Sequence, residues 1–266
     1  MEPRSMIPRR LSLKGFGTAL AVAGFAGAAA TSPANASPSA PLVPAGAKTL
    51  DALTTQLAAL PRRRDFKTAP MILDNRDQWD AEALDAVLHY AGGPKQAWDN
   101  TELHGPWLSV MRNSMNAQIW SFRHPDFLCV SATHGSAQLA LYDEAMWEKY
   151  DLAKLVGHGV VTNYYAQATP ASGMDPADYE NPKGPFSASA NSIVGLQRRG
   201  VVFLACHNAV WDLAGRLIAS GANPDHLSAP ALCADLSNHL VAGVVLTPGA
   251  VGTLVELASA GFAYAR

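Results

Sequence analysis

The sequence predicts an α/β sandwich built around a mainly parallel sheet. Two observations carry this prediction. Short apolar segments of strand length alternate along the chain with amphipathic segments of helical period, which is the order that parallel βα units require. The chain has 266 residues, of which 48% are hydrophobic, so it is long enough and apolar enough to bury a large core.

The first half of the domain is predicted to alternate between strands and helices. Pro106 suits the first turn of a helix, and the buried-type strand that follows ends at His134 and Gly135. In chain order the predicted elements are a strand at residues 71–73, helices at 77–93 and 105–122, a strand at 127–135 and a helix at 136–152.

The second half opens with a long irregular stretch at residues 156–185, rich in Gly, Pro, Asn and Tyr. A loop of this length in a compact domain is usually functional, disordered or an oligomer contact. The continuous apolar run that ends at Cys206 is typical of a central parallel strand. The predicted elements are helices at 187–200, 209–221 and 249–261, and strands at 201–206, 241–248 and 262–266.

Residues 1–36 are predicted to be an export signal. Arg9 and Arg10 precede a short, mildly apolar stretch rich in Ala and Gly, and small residues suit cleavage near Ala36. The arginine pair resembles a twin-arginine signal, and an ordinary secretory signal is the alternative. We therefore expect a periplasmic or secreted protein that uses the twin-arginine export machinery and keeps no membrane span after cleavage.

The rest of the chain is divided by composition. Residues 37–65 are predicted to form a Pro/Ala-rich linker with a short helix near residues 50–60, followed by a solvated arginine run at 61–65. The α/β domain is predicted to span residues 66–266.

Composition and motifs argue against several function classes. A formal net charge of −2 argues against a general nucleic-acid binder, and three cysteines are too few for a disulfide scaffold. No dinucleotide fingerprint, P-loop or recognised metal-ligand spacing occurs, so no cofactor is predicted. Ser131 and Ser136 do not form a G-x-S-x-G motif, which argues against a serine hydrolase.

The C-terminal half carries an ordered pattern: a glycine, an apolar strand that ends in cysteine, an asparagine, a later strand that ends in Pro-Gly, and a last helix before a short aromatic strand. The residues of this pattern are Gly200, Cys206, Asn208, Pro248, Gly249, Leu254, Leu257, Gly261, Phe262 and Tyr264. The pattern resembles the DsrE/DsrF-like family of sulfur-relay and sulfur-oxidation proteins over residues 69–266, with departures at Leu213, Ala214 and Ala258. The resemblance implies a flavodoxin-like three-layer fold, a homo-oligomer (a trimer or hexamer), and a strand-end cysteine that accepts sulfur as a persulfide.

Cys206 is the candidate sulfur-accepting thiol. In open parallel sheets, ligands collect beyond the carboxyl ends of strands, and the N-terminus of the next helix favours a thiolate there. Asn208 is suited to cap that helix, His207 can add positive charge, and His134 is expected at the same edge of the sheet. The alternative is a buried, unreactive cysteine that packs as a small hydrophobic residue.

The other two cysteines are given different roles. Cys129 lies in the middle of a predicted strand and is expected to be core. Cys233 lies in a predicted loop or short helix and could pair with Cys206 or resolve a mixed disulfide in an oxidising compartment.

Three hypotheses of function follow. The first is an exported protein that handles sulfane sulfur through Cys206. The second is a non-catalytic oligomeric binding module of the same fold. The third is a metal-binding accessory protein that uses His134, Cys206 and His207 as ligands.

Overall fold

The computed structural model describes residues 41–266, so the predicted export signal lies outside the described residues. Five strands and nine α-helices occur in this range. The strands are β1 (Lys95–Asn100), β2 (Leu128–Thr133), β3 (Val202–Cys206), β4 (Val245–Thr247) and β5 (Ala263–Ala265). The helices are α1 (Lys48–Ala59), α2 (Ala81–Leu88), α3 (Trp107–Asn116), α4 (Glu144–Lys149), α5 (Leu152–Val156), α6 (Ile193–Arg198), α7 (His207–Ala219), α8 (Ala229–Asn238) and α9 (Ala250–Ser259).

All five strands are parallel and form one sheet in the order β4-β3-β2-β1-β5. The predicted α/β sandwich with a parallel sheet is confirmed. The order brings the last strand of the chain beside the first, with Ala97 of β1 paired with Tyr264 of β5. It also places β2 and β3 side by side, with Thr133 paired with Ala205.

Helices cover both faces of the sheet, which gives three layers. Alternate residues of β3 show this, because Leu204 packs in one hydrophobic cluster with Leu50 of α1 and Leu257 of α9. Phe203 packs in a second cluster with Met111 of α3 and Leu217 of α7. Apolar burial on both faces explains why β3 is apolar along its whole length.

Two sequence predictions about the first half are wrong. Residues 71–73 form no strand, and Met71 and Ile72 are 55% and 69% exposed. The first strand is instead the polar segment β1. The predicted helix at 136–152 is divided, because residues Gly135–Leu141 form a 3-10 helix and Asp143 caps the start of α4.

The other predicted strands and helices lie near their predicted positions, and α8 is a further helix around Cys233, where the sequence left a loop or a short helix open. The predicted helix at 105–122 is α3 followed by a turn of π-helix at Ala117–Ser121, and the short helix before the domain is α1. Three leucines of α1 are buried in the domain core, namely Leu50, Leu53 and Leu57. Within residues 41–266, no helix has both the length and the apolar character that crossing a membrane would need.

A candidate thiol site at the carboxyl edge of the sheet

An open groove of about 840 Å³ lies beyond the carboxyl ends of the central strands. This is the place where open parallel sheets usually collect ligands. None of its lining residues comes from the long stretch at 156–185. The groove is lined by His134, Gly135, Ser136, Cys206, Asn208, Ala209, Trp211, Asp212, Gly215, Arg216, Ala219 and Val251.

Cys206 ends β3 and occupies the N-cap position of α7. It is 5% exposed, and its backbone N–H donates to Gln138 Oε1 over 3.0 Å. Its Sγ accepts a hydrogen bond of 3.2 Å from the backbone N–H of Ala250, the first residue of α9. The sulfur therefore lies where α9 begins, and the partial positive charge of a helix N-terminus stabilises negative charge on such an atom.

His134 lies on the same face of the sheet as Cys206. Ala132, two residues before it, packs with Cys206 and Ala250, and side chains two residues apart on a strand share a face. His134 follows the last paired residue of β2, just as Cys206 follows its partner Ala205 in β3. The structure thus brings His134, Cys206 and Asn208 together along one groove, as the sequence predicts.

An acidic residue and a tyrosine support His134. Asp99 Oδ1 lies 2.7 Å from His134 Nε2, and Tyr264 donates its hydroxyl to Asp99 Oδ2 over 2.9 Å. Neither Asp99 nor Tyr264 is among the predicted site residues. A polar pair at the end of β1, Asp99 and Asn100, was the one signal in the sequence that could have pointed to Asp99.

His207 lies outside the groove. Its side chain packs on the other face of the sheet, with Nε2 donating to Pro70 O over 2.7 Å and Nδ1 3.9 Å from Cys233 Sγ. Burial lowers the pKa of His207 below its usual value, so the ring is neutral near pH 7. The prediction that His207 adds positive charge beside Cys206 is wrong, because successive residues at the strand end diverge.

Asn208 lines the groove but does not cap the helix. α7 begins at His207 with Cys206 in the N-cap position, and no side chain caps it. Asn208 instead contacts the turn before α9, where a side chain at Gly249 would meet Asn208 Nδ2 at 2.8 Å. The capping prediction for Asn208 is therefore wrong, and its position depends on a glycine at 249.

Cys129 and Cys233 are buried free thiols. Burial raises the pKa of Cys129 and the pKa of Cys233 to about 12, so both stay protonated near neutral pH. The core position predicted for Cys129 is confirmed. Cys233 lies on the other face from Cys206 and contacts His207, so the predicted pairing of Cys233 with Cys206 does not occur.

The structure does not assemble the predicted set of three metal ligands. His134 and Cys206 share the groove, but the His207 side chain faces Pro70 and Cys233. No group of three or more His, Cys, Asp or Glu side chains within residues 41–266 has a geometry that could hold a metal ion. The metal-binding hypothesis in this form is wrong.

Comparisons with known proteins add no assignment. No protein-family model matches the chain, and no curated protein or solved structure matches it significantly. The resemblance to DsrE/DsrF-like proteins therefore stays a prediction.

Proposed function

We propose that the protein accepts sulfane sulfur on Cys206 from a persulfide or polysulfide donor. The observation that carries the proposal is the position of Cys206 Sγ. This sulfur accepts a hydrogen bond from the backbone N–H of Ala250 at the start of α9. Cys206 and His134 both line the groove. A nucleophilic thiolate is the main requirement of sulfur transfer, and a helix N-terminus supplies part of it.

The transfer needs no external oxidant. The Cys206 thiol loses its proton, and the thiolate attacks the outer sulfur of a donor R–S–SH. The Sγ–S bond forms while the R–S bond breaks, and the leaving thiolate takes up one proton. The products are a Cys206 persulfide and R–SH, so the oxidation level of the donor passes to the protein.

Incubation of the mature protein with polysulfide is expected to add about 32 Da, one sulfur atom, to Cys206. Intact-mass and peptide mass spectrometry measure the adduct. The adduct should disappear in Cys206→Ser and persist in Cys233→Ala, because burial keeps Cys233 protonated. An adduct that maps to another cysteine, or a Cys206 that stays unmodified, would overturn the proposal.

The non-catalytic binding module is the other candidate, and the same experiment separates the two. That hypothesis expects an unmodified Cys206 together with an assembled trimer or hexamer, which light scattering on the mature protein measures. Sulfur loading of Cys206 in any oligomeric state supports the thiol function instead.

Export by the twin-arginine route belongs to the same proposal. The mature protein recovered from the periplasmic fraction is expected to begin near Ser37, as measured by its intact mass. Replacing Arg9 and Arg10 together with lysine should stop export, because the twin-arginine route reads that pair. Continued export of the lysine variant would indicate the ordinary secretory route.

A further inference from the structure

We infer that Asp99 and Tyr264 position His134 to take the proton of the Cys206 thiol, an inference that deepens and rests on the proposed sulfur-transfer function. Asp99 Oδ1 and His134 Nε2 are 2.7 Å apart. An ionised carboxylate can only accept a hydrogen bond, so the ring proton lies on Nε2. The lone pair of the neutral imidazole is then on Nδ1, which has no hydrogen-bond partner among residues 41–266.

Tyr264 fixes the carboxylate. Its hydroxyl donates to Oδ2 of Asp99 over 2.9 Å, so each oxygen of Asp99 has its own donor. This hydrogen bond raises the pKa of Tyr264, because the hydroxyl loses a favourable contact when it ionises. Tyr264 belongs to the edge strand β5, which reaches the site only because it pairs with β1. The C-terminal strand is thereby part of the site.

The sheet brings His134 within reach of Cys206. The two residues each follow one member of the Thr133 and Ala205 pair, on neighbouring strands that lie about 4.8 Å apart. They share one face and line one groove. Because Nδ1 makes no hydrogen bond to the Cys206 thiol, we expect one water molecule to carry the proton between them. Asp99 stabilises the imidazolium that forms, and the proton then passes to the leaving thiolate.

The rate at which iodoacetamide alkylates Cys206 at pH 7 tests this inference without a sulfur donor. In Asp99→Asn we expect the amide oxygen to keep the hydrogen bond that the Tyr264 hydroxyl donates, which places the NH₂ against His134 Nε2. The ring proton then moves to Nδ1, and the rate is expected to fall by about ten- to a hundredfold. Nitrogen-15 NMR of the His134 ring should show the same change of tautomer.

A second substitution should restore part of the alkylation rate, which would not happen if Asp99 had a purely structural role. In Asp99→Asn combined with Tyr264→Phe the amide can rotate, its oxygen can again accept from Nε2, and part of the rate should return. Tyr264→Phe alone should lower the rate about fivefold, the loss of one hydrogen bond. Glu256→Gln removes an exposed carboxylate of α9 without touching His134 and should change the rate less than about twofold.

If Asp99 acted only through its negative charge, Asp99→Asn would change the alkylation rate in the opposite direction. Removing the Asp99 charge would favour the thiolate and speed alkylation. An Asp99→Asn variant that reacts as fast as the wild type or faster, or that keeps the wild-type tautomer, would overturn the inference. If alkylation and tautomer respond as expected but polysulfide leaves Cys206 unmodified, only the proposed function falls.

Discussion

Replacing Asp80 with alanine is expected to lower the free energy of unfolding by about 3–5 kcal/mol, the usual cost of removing one partner from a buried ion pair. Asp80 is fully buried and forms an ion pair of 3.1 Å with Arg64. Its carboxylate also accepts the backbone N–H groups of Arg63 over 2.8 Å and Leu246 over 2.7 Å. The variant leaves the guanidinium of Arg64 and both N–H groups without these acceptors.

Urea unfolding of the two proteins measures this difference. Asp77→Ala is the matched control, since Asp77 also pairs with an arginine, Arg63, but its side chain is 82% exposed. The control should lose less than about 1 kcal/mol, as exposed ion pairs do. A loss of that small size in Asp80→Ala would show that the segment before α2 does not hold β4 in place.

Asp80 also shows where sequence reasoning failed. The arginine run at 61–65 has the composition of a solvated segment, and a short charge run usually is one. Arg64 instead pairs with Asp80 and donates to Val244 O over 2.8 Å. The partners are 16 and 180 residues away along the chain. No local pattern predicts such contacts, because they depend on the finished packing.

The strands likewise fall into those that local composition predicts and one that it does not. β2 and β3 are fully buried, and both were predicted as buried strands, β3 from its continuous apolar run. β1 was missed because only Ala97 and Trp98 are apolar within it. Its first residue, Lys95, lies near the surface and donates to the carbonyl of Ala260. Residues 71–73 have the composition of a strand, but no other strand pairs with them.

Half of the candidate site followed from the sequence. A cysteine and a histidine that each end an apolar strand are expected at one edge of a parallel sheet, and Cys206 and His134 lie there. The contact between Asp99 and Tyr264 spans 165 residues and depends on the strand order β2-β1-β5. Strand order was not predictable, so these two residues could not be assigned to the site.

Replacing Arg199 with methionine is expected to raise the free energy of unfolding at pH 7 by about 1–4 kcal/mol. Arg199 is 1% exposed, and within residues 41–266 its Nε and Nη1 have no hydrogen-bond partner. Its Nη2 donates to Asn116 Oδ1 over 2.7 Å. The guanidinium carbon lies 5.7 Å from the Trp120 ring and 5.0 Å from the Phe186 ring.

The cost of burying the Arg199 charge, weighed against its contacts with the two aromatic rings, decides whether Arg199→Met raises or lowers stability. Burial lowers the pKa of Arg199 from 12.5 to about 9, and a shift of that size corresponds to roughly 5 kcal/mol against the charged form. The two aromatic rings offset about 1–2 kcal/mol of it. Methionine has a similar length and brings no polar group of its own, so the variant avoids most of the remaining cost. It loses about 1 kcal/mol through the hydrogen bond that Asn116 Oδ1 no longer accepts.

The dependence on pH separates charge from packing. Below pH 9 the folded protein carries the buried charge at its full cost. As the pH rises from about 9 toward 12.5, the folded state releases the proton while the unfolded state keeps it, so the penalty shrinks. The advantage of Arg199→Met in urea unfolding should therefore be smaller at pH 10 than at pH 7.

Two features make this comparison specific to Arg199. Cys129, whose pKa is raised to about 12, is present in both proteins, so its ionisation cancels from the difference to first order. Arg123→Met replaces an exposed arginine and should change stability by less than about 0.5 kcal/mol at either pH. A less stable Arg199→Met, with the same deficit at pH 7 and pH 10, would mean that the rings of Trp120 and Phe186 fully offset the burial of the charge.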